Sequence, residues 1–341
     1  MANPVLIEVT RNGTVESRHR GAFAVVDATG RLVAEAGDID RPVFPRSAVK
    51  ALQALPLVES GFAERLGLDA AELALACASH AGEPAHITAA AAMLAKARLD
   101  ERALECGAHW PSAKPAAAAL IRAGAKPTAL HNNCSGKHAG FLCLACGLEA
   151  PPRGYVGAEH PVQRVVRDAL GEAYGLDLRE TQAGTDGCSI PTFAVPLRNL
   201  AGAFARFGTG EGWGAERARA AGTLRRAVAA HPVMVGGTGR LDTDLAAHFG
   251  ERVFTKTGAE GVFCAALPER GWGVALKCDD GATRASETML LHLLGSAMPW
   301  TDADHHALAD RLDPVLRNWN GIEVGRLRPT AALPGAPLGV T

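Results

Sequence analysis

Strand-like alternation stands at both ends of this chain and helix-like text fills the long middle, and few folds accommodate that order. Residues 5–9 alternate apolar and polar side chains, Asn12-Gly13 signals a turn, and residues 14–20 stay rich in β-tolerant types. Residues 21–27 read as a buried strand, and residues 31–37 return as its partner after the Ala28-Thr29-Gly30 turn. Alternation resumes at 252–256, 261–267 and 271–277, with Pro268-Glu269-Arg270 as the turn between the last two. Between the ends, Asp69 caps a predicted helix over 70–77, and 86–96 and 115–123 are alanine-rich with Leu, Ile and Met at helical spacing. Residues 160–174 and 215–230 are helical as well, and an apolar helix spans 284–298. Strands from the two ends are therefore expected to pair into one antiparallel sheet with the helical insert packed over it, an α+β architecture. The expected division is a sheet-containing part, 1–45 and 250–341, and a mainly helical part, 46–249, forming one compact unit with the cleft between. The 38 glycines do not imply a dinucleotide-binding fold, because no strand–loop–helix alternation accompanies them. No internal repeat is evident.

Three short motifs fall on suitable elements. In Phe-Pro-Arg-Ser-Ala-Val-Lys (44–50), Ser47 and Lys50 lie three positions apart where Pro45 and the following Ala and Leu residues predict a helix start. A serine hydroxyl needs a base, and a lysine in a dry pocket can lose its proton and act as one. Ser-x-x-Lys at a helix start is the arrangement of β-lactamase-type acyl-transfer enzymes, which add a serine-bearing turn and a Lys-Thr-Gly on a strand. Cys-Ala-Ser-His-Ala-Gly-Glu (77–83) supplies the turn with Ser79, and Lys256-Thr257-Gly258 follows a predicted strand.

Cys134 and Cys188 sit in polar, glycine-bearing loops, whereas the other six cysteines fit the ordinary role of small buried hydrophobes. With His131, Lys137, His138 and Asp186 nearby, these two could hold zinc, or they could be thiols acidified by adjacent cations. Eight cysteines without a secretory signal suggest reduced thiols, and the chain reads as cytoplasmic. A formal net charge of -1 gives no basic footprint for nucleic acid or an anionic membrane. No run of about eighteen apolar residues predicts a membrane span.

Together, Phe-Pro-Arg-Ser-x-x-Lys (44–50), Cys-Ala-Ser-His-x-Gly-Glu (77–83), Asn-Asn-Cys-Ser-Gly-Lys-His (132–138), Gly-Thr-Asp-Gly-Cys-Ser (184–189) and Thr-Lys-Thr-Gly-Ala-Glu-Gly (255–261) resemble the Rhizobium etli-type L-asparaginases, the class 3 or asparaginase II family. The resemblance implies a β-lactamase-like fold, hydrolysis of L-asparagine to L-aspartate and ammonia, two Ser–Lys pairs, a zinc ion (Zn2+) and a homodimer. Carried over, the pairs are Ser47 with Lys50 and Ser79 with Lys256, and the zinc ligands are Cys134, Lys137 and Cys188. Arg46 suits the substrate α-carboxylate and Asp186 or Glu83 its α-ammonium, with His80 or His138 adding hydrogen bonds. The alternatives are a glutaminase or another Ser–Lys amidohydrolase, and a zinc- or thiol-based sensor or binding protein that would not need both serine–lysine pairs.

Overall fold

The computed structural model describes residues 2–335 and 337–338, so the outer bounds expected at 1 and 341 lie outside the described residues. The chain divides into two compact units, Met1–Ala48 with Val195–Arg206 and Lys256–Thr341, and Val49–Ala194 with Phe207–Thr255. Among the described residues the strands are β1 (Val5–Arg11), β2 (Thr14–Asp27), β3 (Leu32–Ala36), β4 (Ala183–Thr185), β5 (Pro191–Phe193), β6 (Phe254–Thr257), β7 (Val262–Leu267), β8 (Trp272–Cys278), β9 (Val315–Arg317) and β10 (Glu323–Pro329).

The first unit is built on an eight-stranded sheet in the order β6-β7-β8-β2-β1-β10-β9, with β3 paired to β2. The two chain ends do join: β2 runs antiparallel to β8 from Gly21↔Cys278 to Asp27↔Trp272, and β1 antiparallel to β10. This is the α+β arrangement expected from the strand pattern. Residues 21–26 of β2 are all buried, as are β7 and most of β8, which is why these segments read as continuous apolar runs. The helix Thr283–Ala297 packs on β7 and β8. The helix Leu197–Thr209 passes so close to β8 that a Cβ on Gly273 would lie 1.9 Å from the Ala201 carbonyl oxygen. The sequence pattern missed β9 and β10. In β10 only Gly325 and Leu327 are buried, and two arginines and a proline, Arg326, Arg328 and Pro329, keep the text from reading as a buried strand.

In the second unit the helix Lys50–Glu59 packs on the helices Ser135–Gly147, Pro161–Tyr174 and Ala215–Ala230. The helix Ala70–Ala76 begins on Asp69, whose side chain accepts the Glu72 N–H in a capping box, as its sequence anticipates. The helix after Cys134 starts at Ser135, although its first turn, Ser-Gly-Lys-His, is polar text of the kind that usually forms loops. Burial explains the difference, since Ser135, Gly136, Lys137 and His138 are all inside. Gly136 is there because the two helices nearly touch: a Cβ would lie 2.5 Å from the Leu75 carbonyl oxygen and 2.4 Å from the Leu75 side chain. Gly136→Ala is expected to lower stability by about 1–3 kcal/mol through overpacking. An unchanged denaturation midpoint would contradict this close approach. No helix among the described residues is long and apolar enough to cross a membrane.

Candidate active site

The four serine and lysine residues divide between the units, Ser47 and Lys256 in the first, Lys50 and Ser79 in the second. Ser47 lies in a single 3-10 turn, Arg46–Val49, and the α-helix proper starts at Lys50. Arg46 has φ 52°, a left-handed conformation that side chains other than glycine rarely adopt, so the turn is held by its surroundings. Part of that hold comes from Gly258, where a Cβ would lie 2.6 Å from the Pro45 carbonyl oxygen and 3.3 Å from the Ala48 Cβ. The glycine of Lys-Thr-Gly is thus a contact point that brings the Ser47 turn against the end of β6. Lys256 itself is fully buried, and its Nζ donates to the Thr257 carbonyl at 2.8 Å.

Lys50 is 1% exposed, and its Nζ donates to the Ala78 carbonyl at 2.6 Å and lies 3.0 Å from the Ser79 hydroxyl oxygen. Burial lowers its pKa; the positive charge on Lys137 acts in the same direction and the Cys134 sulfur opposes it. The Ser79 backbone is fixed on one side, N–H to the Val235 carbonyl at 2.9 Å, and the His80 N–H bonds the Asn133 carbonyl at 3.2 Å. The turn after helix 70–76 therefore presents Ser79 to Lys50 from a rigid frame.

His80 belongs to that frame. Its Nδ1 accepts the Gly82 N–H at 3.1 Å, which leaves the proton on Nε2, donated to the Ser135 hydroxyl at 2.9 Å. The Ser135 hydroxyl in turn donates to the Leu130 carbonyl at 2.8 Å. Burial, with His86 and Lys50 nearby, holds the His80 pKa well below its ordinary value, so the ring is neutral. Both its nitrogens are occupied by the protein. The Glu83 carboxylate accepts the Thr238 N–H at 2.8 Å and so ties down the loop around Gly237. His138 is fully buried with its Nδ1 2.6 Å from the Tyr155 hydroxyl, which also accepts the Glu105 N–H at 2.9 Å.

The Cys134 and Cys188 side chains lie together. Cys134 precedes the first turn of the helix Ser135–Gly147, where the helix dipole favours a thiolate. Cys188 sits in the tight loop joining β4 to β5, where the Ser189 N–H bonds the Asp186 carbonyl at 2.9 Å. The two sulfurs share a hydrogen bond. Its donation from Cys188, helped by Lys50 and Lys137, holds the Cys134 pKa well below that of a free thiol, whereas Cys188 is pushed up by Cys134 and by burial and keeps its proton. The Lys137 Nζ donates to the Cys188 sulfur at 2.9 Å. Burial works to lower the Lys137 pKa, yet the two sulfurs raise it overall. Two sulfurs and an amine thus converge in a buried pocket that stabilises negative charge on sulfur, and this donor set fits a borderline-soft dication.

The motifs concealed several supporting residues. The Asn132 amide donates to the Cys106 carbonyl at 2.8 Å while its carbonyl oxygen accepts the Cys134 N–H at 2.8 Å. The Asn133 N–H reaches the His109 Nε2 at 2.9 Å. Two adjacent asparagines before a cysteine were the available signal, because paired amides in a glycine-bearing loop commonly tie backbone groups that no helix or sheet satisfies.

Solved structures similar to this chain include the following two. One is a β-lactamase from Mycobacterium bovis, 16% identical with a TM-score of 0.39, over 86% of this chain and 95% of that one. The other is a LovD6 mutant of simvastatin synthase (LovD) from Aspergillus terreus, 12% identical with a TM-score of 0.38, over 76% and 86% of the two chains. No curated protein matches the chain. The family model described as L-asparaginase II matches residues 7–329, nearly the whole length, and the chain belongs to that family.

Proposed function

We propose that this protein is an L-asparaginase of the Rhizobium etli type, hydrolysing the side-chain amide of L-asparagine to L-aspartate and ammonia through an acyl-enzyme. Family membership supports amide hydrolysis, and the observation that carries the mechanism is Lys50: an amine buried with a lowered pKa, three residues after one serine and 3.0 Å from the hydroxyl of another. Neutral Lys50 takes the proton of Ser47 as the Ser47 oxygen attacks the carboxamide carbon. The carbon–nitrogen bond breaks, the leaving nitrogen takes up a proton and departs as ammonia, and water hydrolyses the aspartyl ester. Ser79 and Lys256 extend the proton network. Arg46 binds the α-carboxylate and Asp186 the α-ammonium, and Glu83 and His138 take part in substrate binding, whereas His80, expected to bond the substrate, spends both ring nitrogens on Gly82 and Ser135 and instead holds the turn that carries Ser79.

Cys134, Lys137 and Cys188 would hold zinc, which supplies a positive charge able to orient a substrate carboxylate or carbonyl. For that, Lys137 must give up its proton and both sulfurs must become thiolates. The proposed assembly is a homodimer in the cytoplasm.

Glutamine is the competing substrate. One methylene changes binding in a pocket by only about 1–3 kcal/mol, so a preference of roughly 10–200-fold for asparagine is expected. Ammonia release from each amide, with and without a chelator, checks both parts of the reading. Equal rates on the two amides would favour a general amidohydrolase, and full activity in stoichiometrically zinc-free protein would leave Cys134 and Cys188 as a thiol pair.

A further inference from the structure

Among the described residues, His19, Cys278 and Asp280 are the one group of three His, Cys, Asp or Glu side chains whose donor atoms all lie within 4.8 Å of one another. All three belong to the first unit, away in sequence from every motif discussed above. The sheet puts them together. Gly21 pairs with Cys278 at the end of the β2–β8 ladder, and the Asp279 N–H continues it to the Arg20 carbonyl at 2.8 Å, which brings Asp280 opposite His19. Side chains alternate along a strand, so His19, Cys278 and Asp280 share one face, while Arg20 and Asp279 take the other. On that other face Asn3 and Arg41 bond the Asp279 carboxylate. On the shared face Gly21 leaves no side chain opposite Cys278, and a Cβ on Gly261 would lie 2.8 Å from the Cys278 Cβ.

The donors converge on one carboxylate. His19 Nδ1 is 2.6 Å from Asp280 Oδ2, and Cys278 Sγ is 2.9 Å from Asp280 Oδ1, which also accepts the Ala282 N–H at 3.0 Å. His19 is 4% exposed and Cys278 fully buried, but the Asp280 side chain is 48% exposed and so able to shift and to leave one side to water. Arg284 Nε donates to His19 Nε2 at 3.2 Å, so in this state His19 carries its proton on Nδ1.

We propose that His19, Cys278 and Asp280 form a structural site for a borderline-soft divalent metal of the zinc class, held in check by Arg284. Nitrogen, sulfur and carboxylate oxygen with one position open to water is a donor set that zinc accepts, at bonds of about 2.0–2.3 Å. On binding, the Cys278 thiol proton leaves to solvent and the sulfur bonds the metal. The His19 proton moves from Nδ1 to Nε2, freeing Nδ1 as a ligand, and Arg284 swings away because two N–H donors would otherwise face each other. The metal ties β2 to the start of the helix Thr283–Ala297.

The test is titration of the metal-free full chain with Co2+, read by the thiolate-to-cobalt absorption band, with Zn2+ competition for affinity. In a Cys134→Ser, Cys188→Ser chain, one equivalent is expected to bind with that band, and Asp280→Asn or Cys278→Ser is expected to abolish it. Arg284→Gln, whose side chain can accept from Nε2–H, is expected to tighten binding about 10–100-fold. Absence of the band in the Cys134→Ser, Cys188→Ser chain, binding indifferent to Asp280→Asn, or an Arg284→Gln affinity no better than that of the parent overturns the proposal and leaves a hydrogen-bonded cluster only. Should the doubly substituted chain fail to fold by circular dichroism, the wild-type chain is titrated instead. There Cys278→Ser is expected to remove one equivalent, and unchanged stoichiometry overturns the site.

Discussion

Ammonia release from asparagine is expected to fall by roughly 10²–10⁴-fold in a Lys50→Met protein, the range for loss of a positioned general base. Methionine fills much of the same volume in a site that is 1% exposed, and it removes an amine whose burial is itself unfavourable, so the fold should survive. The Ala78 carbonyl loses its donor, which partly offsets that gain. Lys50→Arg should be as inactive as Lys50→Met, because a guanidinium cannot deprotonate in this range. The wild-type pH profile carries the sign of the effect. Burial places the Lys50 pKa below 10.5, so the neutral amine accumulates, and kcat/KM climbs and levels off, at lower pH than for an exposed lysine. Stability follows the same group. Between the lowered folded pKa and the unfolded value the unfolded chain binds more protons, so stability rises with pH across that window, and Lys50→Met should flatten the slope. A Lys50→Met enzyme retaining wild-type activity and the wild-type rise with pH would remove Lys50 from the chemistry.

Much of the frame was legible because its signals are local. Asp69 with Glu72 announces a helix start by two hydrogen bonds within four residues, and residues 21–26 announce a buried strand by unbroken apolar text. What depends on partners distant in sequence was not legible. The first turn of the helix Ser135–Gly147 looks like a loop until Leu75 and the second cysteine are placed beside it. Strand β10 joins the sheet through β1 and β9 although Leu327 is its one buried side chain. At the site, spacing alone suggested Ser47 for Lys50, whereas the hydrogen bond from Lys50 runs to Ser79, which folding brings in from the next motif. Cys278 looked like any buried thiol, since nothing in its neighbourhood in sequence reveals His19 across the ladder.

That hydrogen bond makes the identity of the nucleophile the most informative measurement. Ser79 is held by its backbone and lies 3.0 Å from the amine, a geometry suited to passing protons, while Ser47 sits in a turn whose Arg46 adopts a φ of 52° that only a constrained structure maintains. Strain of this kind is a means of presenting a side chain, as in turns that expose a nucleophile at a strand-to-helix junction. Ser47→Ala is therefore expected to lower kcat on the order of 10⁶-fold, the scale for losing a nucleophile, with no covalent aspartyl adduct by intact mass after rapid quench. Ser79→Ala is expected to lose roughly 10²–10⁴-fold and still form the adduct, now longer-lived because proton delivery is impaired. Since residues acting as one unit are far from additive, the double variant should be no slower than Ser47→Ala alone. An adduct that persists in Ser47→Ala and disappears in Ser79→Ala would transfer the nucleophilic role to Ser79, with Lys50 still the base at 3.0 Å.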